Sequence, residues 1–282
     1  MEEKTLKTSN NFIKARYDIT EQELKLVYAM FYKIQERMQE KKYIRENEAV
    51  EFSSQELCYW LGITKDAYHY IKKITNRLMT RVLSIEDPEK KMFEMTHFIG
   101  YAKYENATLS LIPDIKLLQH FIFLQDNFTK IPVITLLQLK NVYAIKMYNL
   151  MLEYKNIRNV ISMSLEEFRK FLQIEKKYTD NKNLKRFVLD LIQKELNTVI
   201  KDLNFSYHLE REGRTYKKVV FRYNNDVLMK NDSYMSKYFE AFKKYKDECQ
   251  LGKSCQFDGK DERCYFCKNI LNKRFNINLE SK

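Results

Sequence analysis

The sequence of 282 residues contains few of the residues that interrupt secondary structure, with only 5 Gly and 3 Pro. This composition excludes collagen-like and low-complexity chains and favours compact, helix-rich domains with short connections. No run approaches the ~20 consecutive apolar residues that a membrane span needs. The first residues, MEEKTLKTSNNF, contain neither an apolar run nor a cleavage site. We therefore expect a cytoplasmic protein without a secretory signal, whose thiols are reduced.

Acidic residues are in the minority. The chain has 50 Lys and Arg against 38 Asp and Glu, which gives a net charge of +12 and a pI near 9.2. Such an excess favours a polyanionic partner, either nucleic acid or an acidic membrane surface. Because 44% of the residues are hydrophobic, the chain is able to bury the cores of two domains of ordinary size.

Clustered catalytic residues are also missing from the sequence. The four histidines are scattered without the H-x-H pair that a rolling-circle nuclease needs to bind its metal. The tripeptide at 252–254, Gly-Lys-Ser, resembles the end of a phosphate-binding loop, but Asp247 occupies the position of the required glycine. No paired-carboxylate or Ser/His/Asp arrangement stands out. We predict that the protein is not an enzyme, neither a nuclease nor a nucleotide-driven motor.

An internal repeat organises the chain. The segment at 53–63 recurs 111 residues later at 164–174, and both copies begin with serine followed by glutamate at the third helical position. This spacing predicts an N-terminal capping box on each short helix, formed by Ser53 with Glu56 and by Ser164 with Glu167. Further upstream, residues 24–29 resemble residues 139–144, and both lie in stretches of helical periodicity.

Alternating apolar residues follow each copy. Residues 205–209 and 219–223 flank a turn that contains Gly213, which predicts a β-hairpin. In the first copy, residues 82–85 and 92–101 flank a turn at 87–90. Each copy thus consists of a helix, a short helix, a tight turn, a longer helix and a hairpin, which is a helix-turn-helix with a wing.

These patterns predict a mostly α fold with small β-hairpin wings (α+β), built from two tandem winged-helix domains and a short C-terminal segment with cysteines. We place the first domain at residues 1–128 and the second at 129–225, because Asp126, Asn127 and Pro132 interrupt the apolar pattern between them. The Lys-rich remainder spans 226–282.

The longer helix of each copy is the candidate DNA-reading element, because the second helix of a helix-turn-helix enters the major groove. In the second copy, polar residues cluster at the start of this helix, outside an apolar stripe of Leu184, Val188 and Leu191. Arg suits a bidentate contact to guanine, and Asn suits one to adenine. A solvated basic helix start is the alternative. The predicted DNA-binding residues here are Lys182, Asn183, Lys185 and Arg186.

Two further basic groups are candidates for contacts with the DNA backbone. In the first copy the basic residues occur later along the helix, which favours phosphate over base contacts. They are Lys65, His69, Lys72, Lys73 and Arg77, opposite an inward set of Ala67, Tyr70, Ile71, Ile74 and Leu78. The second group is at the wing tip and could follow the backbone or the minor groove, or form an ordinary polar turn. It consists of Arg211, Arg214 and Lys217, with Lys218 beside them.

Several of these segments resemble motifs of iteron-plasmid replication initiator (Rep) proteins. Residues 141–150, NVYAIKMYNL, resemble the family's S-x-Y-A-x-R-L-Y-E-L-L helix, with Lys146 in place of the usual Arg. Residues 164–172 resemble L-E-E-L-R-x-L-L, and residues 213–221 resemble the family's G-R-x-x-x-x-I-x-F wing. Tyr178 and residues 184–197 resemble its recognition-helix motif, with Leu184 in place of Phe. The resemblance covers about residues 8–225.

This resemblance implies a double winged-helix protein that binds directly repeated origin sequences in double-stranded DNA as a monomer. It implies that homodimers form through the first domain and repress the protein's own promoter. It also implies opening of an adjacent A·T-rich region and recruitment of the host initiator and replicative helicase. Lys185 and Arg186 match the family's base- and phosphate-contacting pair, and Tyr178 joins the DNA-binding set. The alternative is a transcriptional regulator of the same fold without replication activity.

The cysteines have no counterpart in this resemblance. Cys249, Cys255, Cys264 and Cys267 form a C-x5-C-x8-C-x2-C pattern. Four thiolates can hold a structural Zn²⁺ tetrahedrally, and clustering in a reducing compartment favours metal over disulfides. Inert or redox-sensitive thiols are the alternative, and no cofactor is required for the predicted function. The fifth cysteine, Cys58, is expected to pack as a small buried hydrophobe.

Overall fold

Two winged-helix units make up the described part of the chain. The computed structural model describes residues 5–41, 48–87, 90–122, 124 and 127–228. The elements of the first unit are β1 (Thr5–Ser9), α1 (Asn10–Lys14), α2 (Glu21–Lys41), β2 (Val50–Ser53), α3 (Ser54–Leu61), α4 (Ala67–Met79), β3 (Val82–Asp87), β4 (Met92–His97), β5 (Ile99–Glu105), β6 (Thr108–Pro113) and α5 (Ile115–Leu118).

The second unit repeats this order without the β3–β4 hairpin. Its elements are β7 (Phe128–Pro132), α6 (Val133–Gln138), α7 (Val142–Tyr154), β8 (Val160–Ser164), α8 (Leu165–Leu172), α9 (Asn181–Leu184), a π-helical turn (Lys185–Leu189), α10 (Asp190–Val199), β9 (Ser206–Glu212) and β10 (Thr215–Arg222). The strands form antiparallel sheets in the orders β2-β6-β5, β3-β4, β8-β10-β9 and β1-β7. This combination of helices with small antiparallel sheets confirms the predicted α+β class with two winged helices.

An aromatic cluster lies inside each unit, and both clusters belong to one continuous hydrophobic core. In the first unit, the Phe31 and Phe121 rings stack with their centroids 3.7 Å apart. In the second, Phe221 of β10 lies between Phe205 and Phe168, at centroid distances of 5.7 and 5.4 Å. The wing and the first helix of the helix-turn-helix are therefore packed on the same core, which fixes the position of the recognition helix between them.

The predicted capping boxes differ between the two copies. In α8 the box is complete, because Ser164 Oγ accepts from the Glu167 N–H and Glu167 Oε2 accepts from the Ser164 N–H. In α3, Ser53 Oγ accepts from the Glu56 N–H as predicted. The Glu56 carboxylate instead accepts from Lys33 Nζ of α2 at 2.7 Å, so the box prediction for the first copy was half wrong. The ion pair ties α3 to α2.

The tight turn of each helix-turn-helix begins at an equivalent residue. Gly62 ends α3 with a φ of 64°, and Gln173 ends α8 with a φ of 60°. Both residues are in the left-handed region, which satisfies the last helical carbonyls and favours glycine. The shared backbone conformation confirms this part of the internal repeat, although only one copy uses glycine.

The wing of the first unit was assigned wrongly from the sequence. By its pairing, the equivalent of β9–β10 is β5–β6, because β6 pairs with β2 just as β10 pairs with β8. The strands predicted as the wing form a separate two-stranded β3–β4 hairpin, which has no counterpart in the second unit. Alternation of apolar residues identifies hairpins but does not reveal which partner strand they join.

The upstream part of the repeat was also aligned wrongly. Leu139 lies between α6 and α7, and Asn141 caps α7, so residues 139–144 do not correspond to residues 24–29 inside α2. The true equivalents are β1–α1–α2 and β7–α6–α7. Their first strands pair antiparallel with Lys7 opposite Lys130 at the centre, which places an approximate two-fold axis between the two units.

Buried polar contacts across this axis are reciprocal. Lys25 and Lys146 are each the fifth residue of their helix, α2 and α7. Lys25 Nζ donates to the Leu137 carbonyl at 2.8 Å, and Lys146 Nζ donates to the Tyr17 carbonyl at 3.2 Å. The eighth residues of the two helices meet directly, because Asn149 Nδ2 donates to the Tyr28 hydroxyl oxygen at 2.6 Å. These contacts specify one relative orientation of the units.

The two units pack together as one compact body. The division at residues 128/129 stays a prediction, since β7 begins at Phe128 but pairs with β1 of the first unit. Cys58 is partly buried against the core, and burial raises the pKa of its thiol, in line with a packing role. Among the helices that the structure describes, none combines the length and apolar character needed to cross a bilayer.

Candidate nucleic-acid interface

The recognition helix of the second unit runs without interruption from Asn181 to Val199 through α9, the π-helical turn and α10. All four of its predicted DNA-binding residues are exposed, and Leu184 and Val188 are buried as expected. The exposed four are Lys182, Asn183, Lys185 and Arg186. The basic surface predicted for this helix thus faces solvent.

The π-helical turn changes which residues of this helix are buried. An α-helix that buries Leu184 and Val188 would also bury residue 191. The wider turn at Lys185–Leu189 inserts one extra residue, which rotates the remainder of the helix by about 100°. Leu189 and Ile192 are therefore buried, whereas Leu191 is 42% exposed. The prediction that Leu191 faces the core was wrong for this reason.

The start of the recognition helix is held in place from two sides. Arg169 of α8 donates to the Tyr178 carbonyl at 2.5 Å and to the Thr179 carbonyl at 3.2 Å. Asp180 caps the helix by accepting from the Asn183 N–H at 2.8 Å. This hydrogen bond holds the pKa of the Asp180 carboxyl below its usual range. The N-terminus of the helix is therefore fixed before any ligand binds.

Asn183 is already engaged in this cap. Its side-chain Nδ2 donates to Asp180 Oδ2 at 2.6 Å. A bidentate contact to adenine uses the amide oxygen and one of the two amide protons, so the other proton is able to keep the bond to Asp180. Asn183 thus helps to order the start of the helix, and its contact with a base stays a prediction.

Tyr178 lies against the recognition helix. It is partly buried with a φ of +51°, and its ring stacks on Phe187 at 5.9 Å. The Arg186 guanidinium lies 5.1 Å from the centroid of the same Phe187 ring. Burial, with the neighbouring Tyr178 hydroxyl as a smaller cause, raises the pKa of Tyr143 to about 12. Tyr178 therefore links α7 to the exposed side of the recognition helix.

The basic residues in the wing of the second unit differ in their contacts with the rest of the protein. Arg211 Nη2 donates to the Tyr216 hydroxyl oxygen at 2.7 Å, and its guanidinium lies 4.5 Å from the centroid of that ring. Arg214 follows the turn at Gly213, and Lys217 lies at an irregularity in the β9–β10 register. All three basic residues are exposed.

In the first unit, the five predicted basic and histidine residues are exposed on or just before α4: Lys65, His69, Lys72, Lys73 and Arg77. His69 Nδ1 is 2.8 Å from Asp66 Oδ1, so one of the two ring nitrogens already has a hydrogen-bond partner within the protein. Tyr70 was predicted to face inward, but it is 46% exposed. It is adjacent to the buried Ile71, and a mixed helix pattern does not resolve which of two neighbours faces the core.

Sequence reasoning missed two contributors to these surfaces. One is Tyr68, which is exposed beside Lys72 and packs against Tyr104 of β5 at 5.4 Å, linking α4 to the true wing. The other is Arg169, which positions the recognition helix from α8. The position of Arg169 in the family-like motif was the only available signal for it. The four cysteines of the predicted zinc site lie outside the described residues.

Two family models match consecutive parts of the chain, and the first match extends into α7. The family model described as "Initiator Replication protein, WH1" matches residues 5–152, and the model described as "Initiator Rep protein, WH2" matches residues 164–223. A replication initiation protein of Escherichia coli is 28% identical over 234 residues, covering 81% of this chain and 72% of the relative.

One solved structure shows the same fold, and a second shows a weaker similarity. The crystal structure of the Pi initiator protein in complex with iteron DNA matches with a TM-score of 0.56 at 16% identity, over 79% of this chain and 98% of that one. Domains 2–3 of RctB match with a TM-score of 0.41 at 14% identity, over 73% of this chain and 83% of that one. Together the two family models match well over half of the sequence, and the chain belongs to the initiator replication (Rep) protein family.

Proposed function

We propose that the protein initiates plasmid replication by binding repeated double-stranded origin sequences, or iterons. The observation that carries the proposal is the exposed basic surface of the recognition helix, presented on a winged helix in a member of the Rep family. The Pi initiator, which shares this fold, was crystallised with iteron DNA, and this supports the choice of ligand.

The geometry suggests different tasks for the two units. In the second unit, Lys185 and Arg186 are exposed on a helix whose start is fixed by Arg169, and a major groove of ~12 Å accepts one such helix. In the first unit, basic residues along α4 suit phosphate contacts that set register. The units are joined through the β1–β7 pairing. We propose that one chain binds the same duplex with both surfaces.

Footprinting on the DNA upstream of the gene tests this function. We expect regularly spaced protection of direct repeats by the intact protein, and an affinity that falls with salt by a log–log slope of about −0.9 for each phosphate contact. Binding to single strands only would contradict the winged-helix mechanism. Protection of one isolated site, with no repeats and no loss of plasmid maintenance on deletion, would instead indicate a transcriptional regulator.

The family resemblance also suggests a homodimer formed through the first unit, in equilibrium with the monomer. The β3–β4 hairpin supports this, because its outward face carries Phe93 at 70% and Met95 at 61% exposure. Exposed Met and aromatic side chains are enriched in protein interfaces. The hairpin has no counterpart in the second unit, so an asymmetric role of the first unit has a structural basis.

A charge on this face is expected to dissociate the dimer. In an isologous interface, Phe93→Asp would remove an apolar anchor and bring two like charges near each other. We expect the dissociation constant of the dimer to rise at least about tenfold, measured by analytical ultracentrifugation. Ile157→Asp, at an exposed apolar residue in the second unit, is the matched control and should have no effect. An unchanged dimer of the Phe93 variant would exclude this hairpin from the interface.

The protein acts in the cytoplasm without enzymatic activity of its own, as dimers on its promoter and as monomers at the origin. It helps to open the adjacent A·T-rich region and recruits the host initiator and helicase. The tail cysteines, Cys249, Cys255, Cys264 and Cys267, hold a structural Zn²⁺ that lets a short segment fold with little core.

A further inference from the structure

Two apolar side chains are exposed in the middle of the basic recognition helix. Phe187 is 40% exposed and Leu191 is 42% exposed, four residues further along the same helix. Single exposed apolar residues are common on protein surfaces. These two, however, lie within the element that the winged-helix fold presents to DNA.

The exposure of Leu191 results from the π-helical turn. A regular α-helix would bury this leucine on the same side as Leu184, Val188 and Ile192. With the extra residue in the turn, Ile192 stays buried and Leu191 is exposed. π-Helical turns of this kind occur frequently at functional sites. The backbone is thus arranged so that an apolar side chain faces solvent at the centre of the recognition helix.

The positive charges around this pair favour DNA over a protein as the binding partner. Phe187 is flanked by the exposed cations Lys185 and Arg186, and its ring is backed by Tyr178. The one acidic residue between the pair, Asp190, accepts a hydrogen bond from the Tyr207 hydroxyl of β9. An apolar pair framed by cations complements a polyanion that also presents apolar groups.

The major groove has one such group, the C5-methyl of thymine. We propose that Phe187 and Leu191 contact thymine methyl groups in the major groove and so determine part of the sequence specificity. This inference rests on the proposed binding of double-stranded DNA. It predicts at least one essential thymine in each repeat, read by shape and apolar contact rather than by hydrogen bonds.

Replacing thymine by deoxyuridine in the DNA tests this without altering the protein. Deoxyuridine keeps the base pair and the O4 acceptor and removes only the methyl group. In a duplex that carries one protected repeat, we expect one or two positions at which the substitution weakens binding about fourfold each, as expected for one buried methyl group. Equal affinity at every thymine would overturn the inference and leave the proposed DNA binding intact.

Variants of the protein show which side chain contacts each thymine methyl group. Leu191→Ala should bind the thymine duplex more weakly and lose its sensitivity to deoxyuridine at one position, whereas the control Ile157→Ala should keep full sensitivity. Phe187→Leu should alter sensitivity at a neighbouring position. If the Leu191 variant keeps the wild-type sensitivity at every position, Leu191 does not read a methyl group. If the wild-type protein does not bind duplex DNA at all, the proposed function fails first, and this inference fails with it.

Discussion

Replacing both Lys185 and Arg186 by alanine is expected to weaken specific DNA binding by about 2–5 kcal/mol, which assumes one base contact and one phosphate contact. The effect should be large because both side chains are exposed on a helix that is rigidly placed by its cap and by Arg169. Neither side chain is part of the core, so the variant should remain folded. Fluorescence anisotropy with a single repeat measures the loss.

A charge-preserving variant separates base reading from phosphate binding. Arg186→Lys keeps the positive charge but loses the planar fork that pairs with guanine. If Arg186 reads a base, this variant should lose discrimination between the repeat and a scrambled duplex while keeping most of its salt dependence. Unchanged affinity of the folded Lys185→Ala, Arg186→Ala double variant would contradict the assignment of this helix as the DNA-reading element.

The stability of the protein is expected to rise by about 3 kcal/mol between about pH 7 and about pH 9.5, as a contribution from Lys146 alone. Lys146 is 2% exposed, and burial lowers the pKa of its ammonium group to about 7, against an ordinary value of 10.5. Asp18 and Glu175 oppose this shift, and Arg16 adds to it.

The sign of this effect is set by proton binding in the two states. Between the folded and unfolded pKa values of Lys146, the unfolded chain binds more protons, so the free energy of unfolding increases with pH. Burial raises the pKa of Tyr17 and Tyr28, which has the opposite effect once pH approaches 10, so the window ends below that value. Urea denaturation across this range measures the slope.

Lys146→Met is the matched control, because methionine has a similar length and does not titrate. The variant should lack the part of the slope that comes from Lys146. Removing the buried charge stabilises the folded state. The substitution also leaves the carbonyls of Tyr17 and Phe171 without their donor, and this offsets part of that stabilisation. Parallel slopes for the two proteins would show that Lys146 is protonated in the folded state across the whole window.

Local chemistry explains why much of the fold was predictable. Caps, turns and short helices depend on residues close together in sequence, so Ser164 with Glu167 and the hairpin around Gly213 were found where predicted. The same is true of the exposure of Lys185 and Arg186, since an amphipathic helix reveals its polar side. The predicted roles of these residues depend on DNA and stay predictions.

The wrong predictions share a different cause. Leu191 was placed inside because the pattern was read with a regular helical period, and a π-helical turn has no sequence signature. The first wing was misassigned because the choice between β3–β4 and β5–β6 depends on which strand pairs with β2, a contact distant in sequence. The side-chain contact between Asn183 and Asp180 was not predicted, because it depends on the geometry of the turn.

The sequence by itself determined that two helix-turn-helix units are arranged in tandem and that a basic helix is exposed in each, because hydrophobic period, capping and charge are local properties. Only the tertiary structure decided how the units face each other and which side chains the recognition helix presents. Those features arise from the antiparallel pairing of β1 with β7, from lysines buried across the interface and from one extra residue in a helical turn. The residue pattern is compatible with several arrangements of each of these features, and the packing of the whole chain selects one of them.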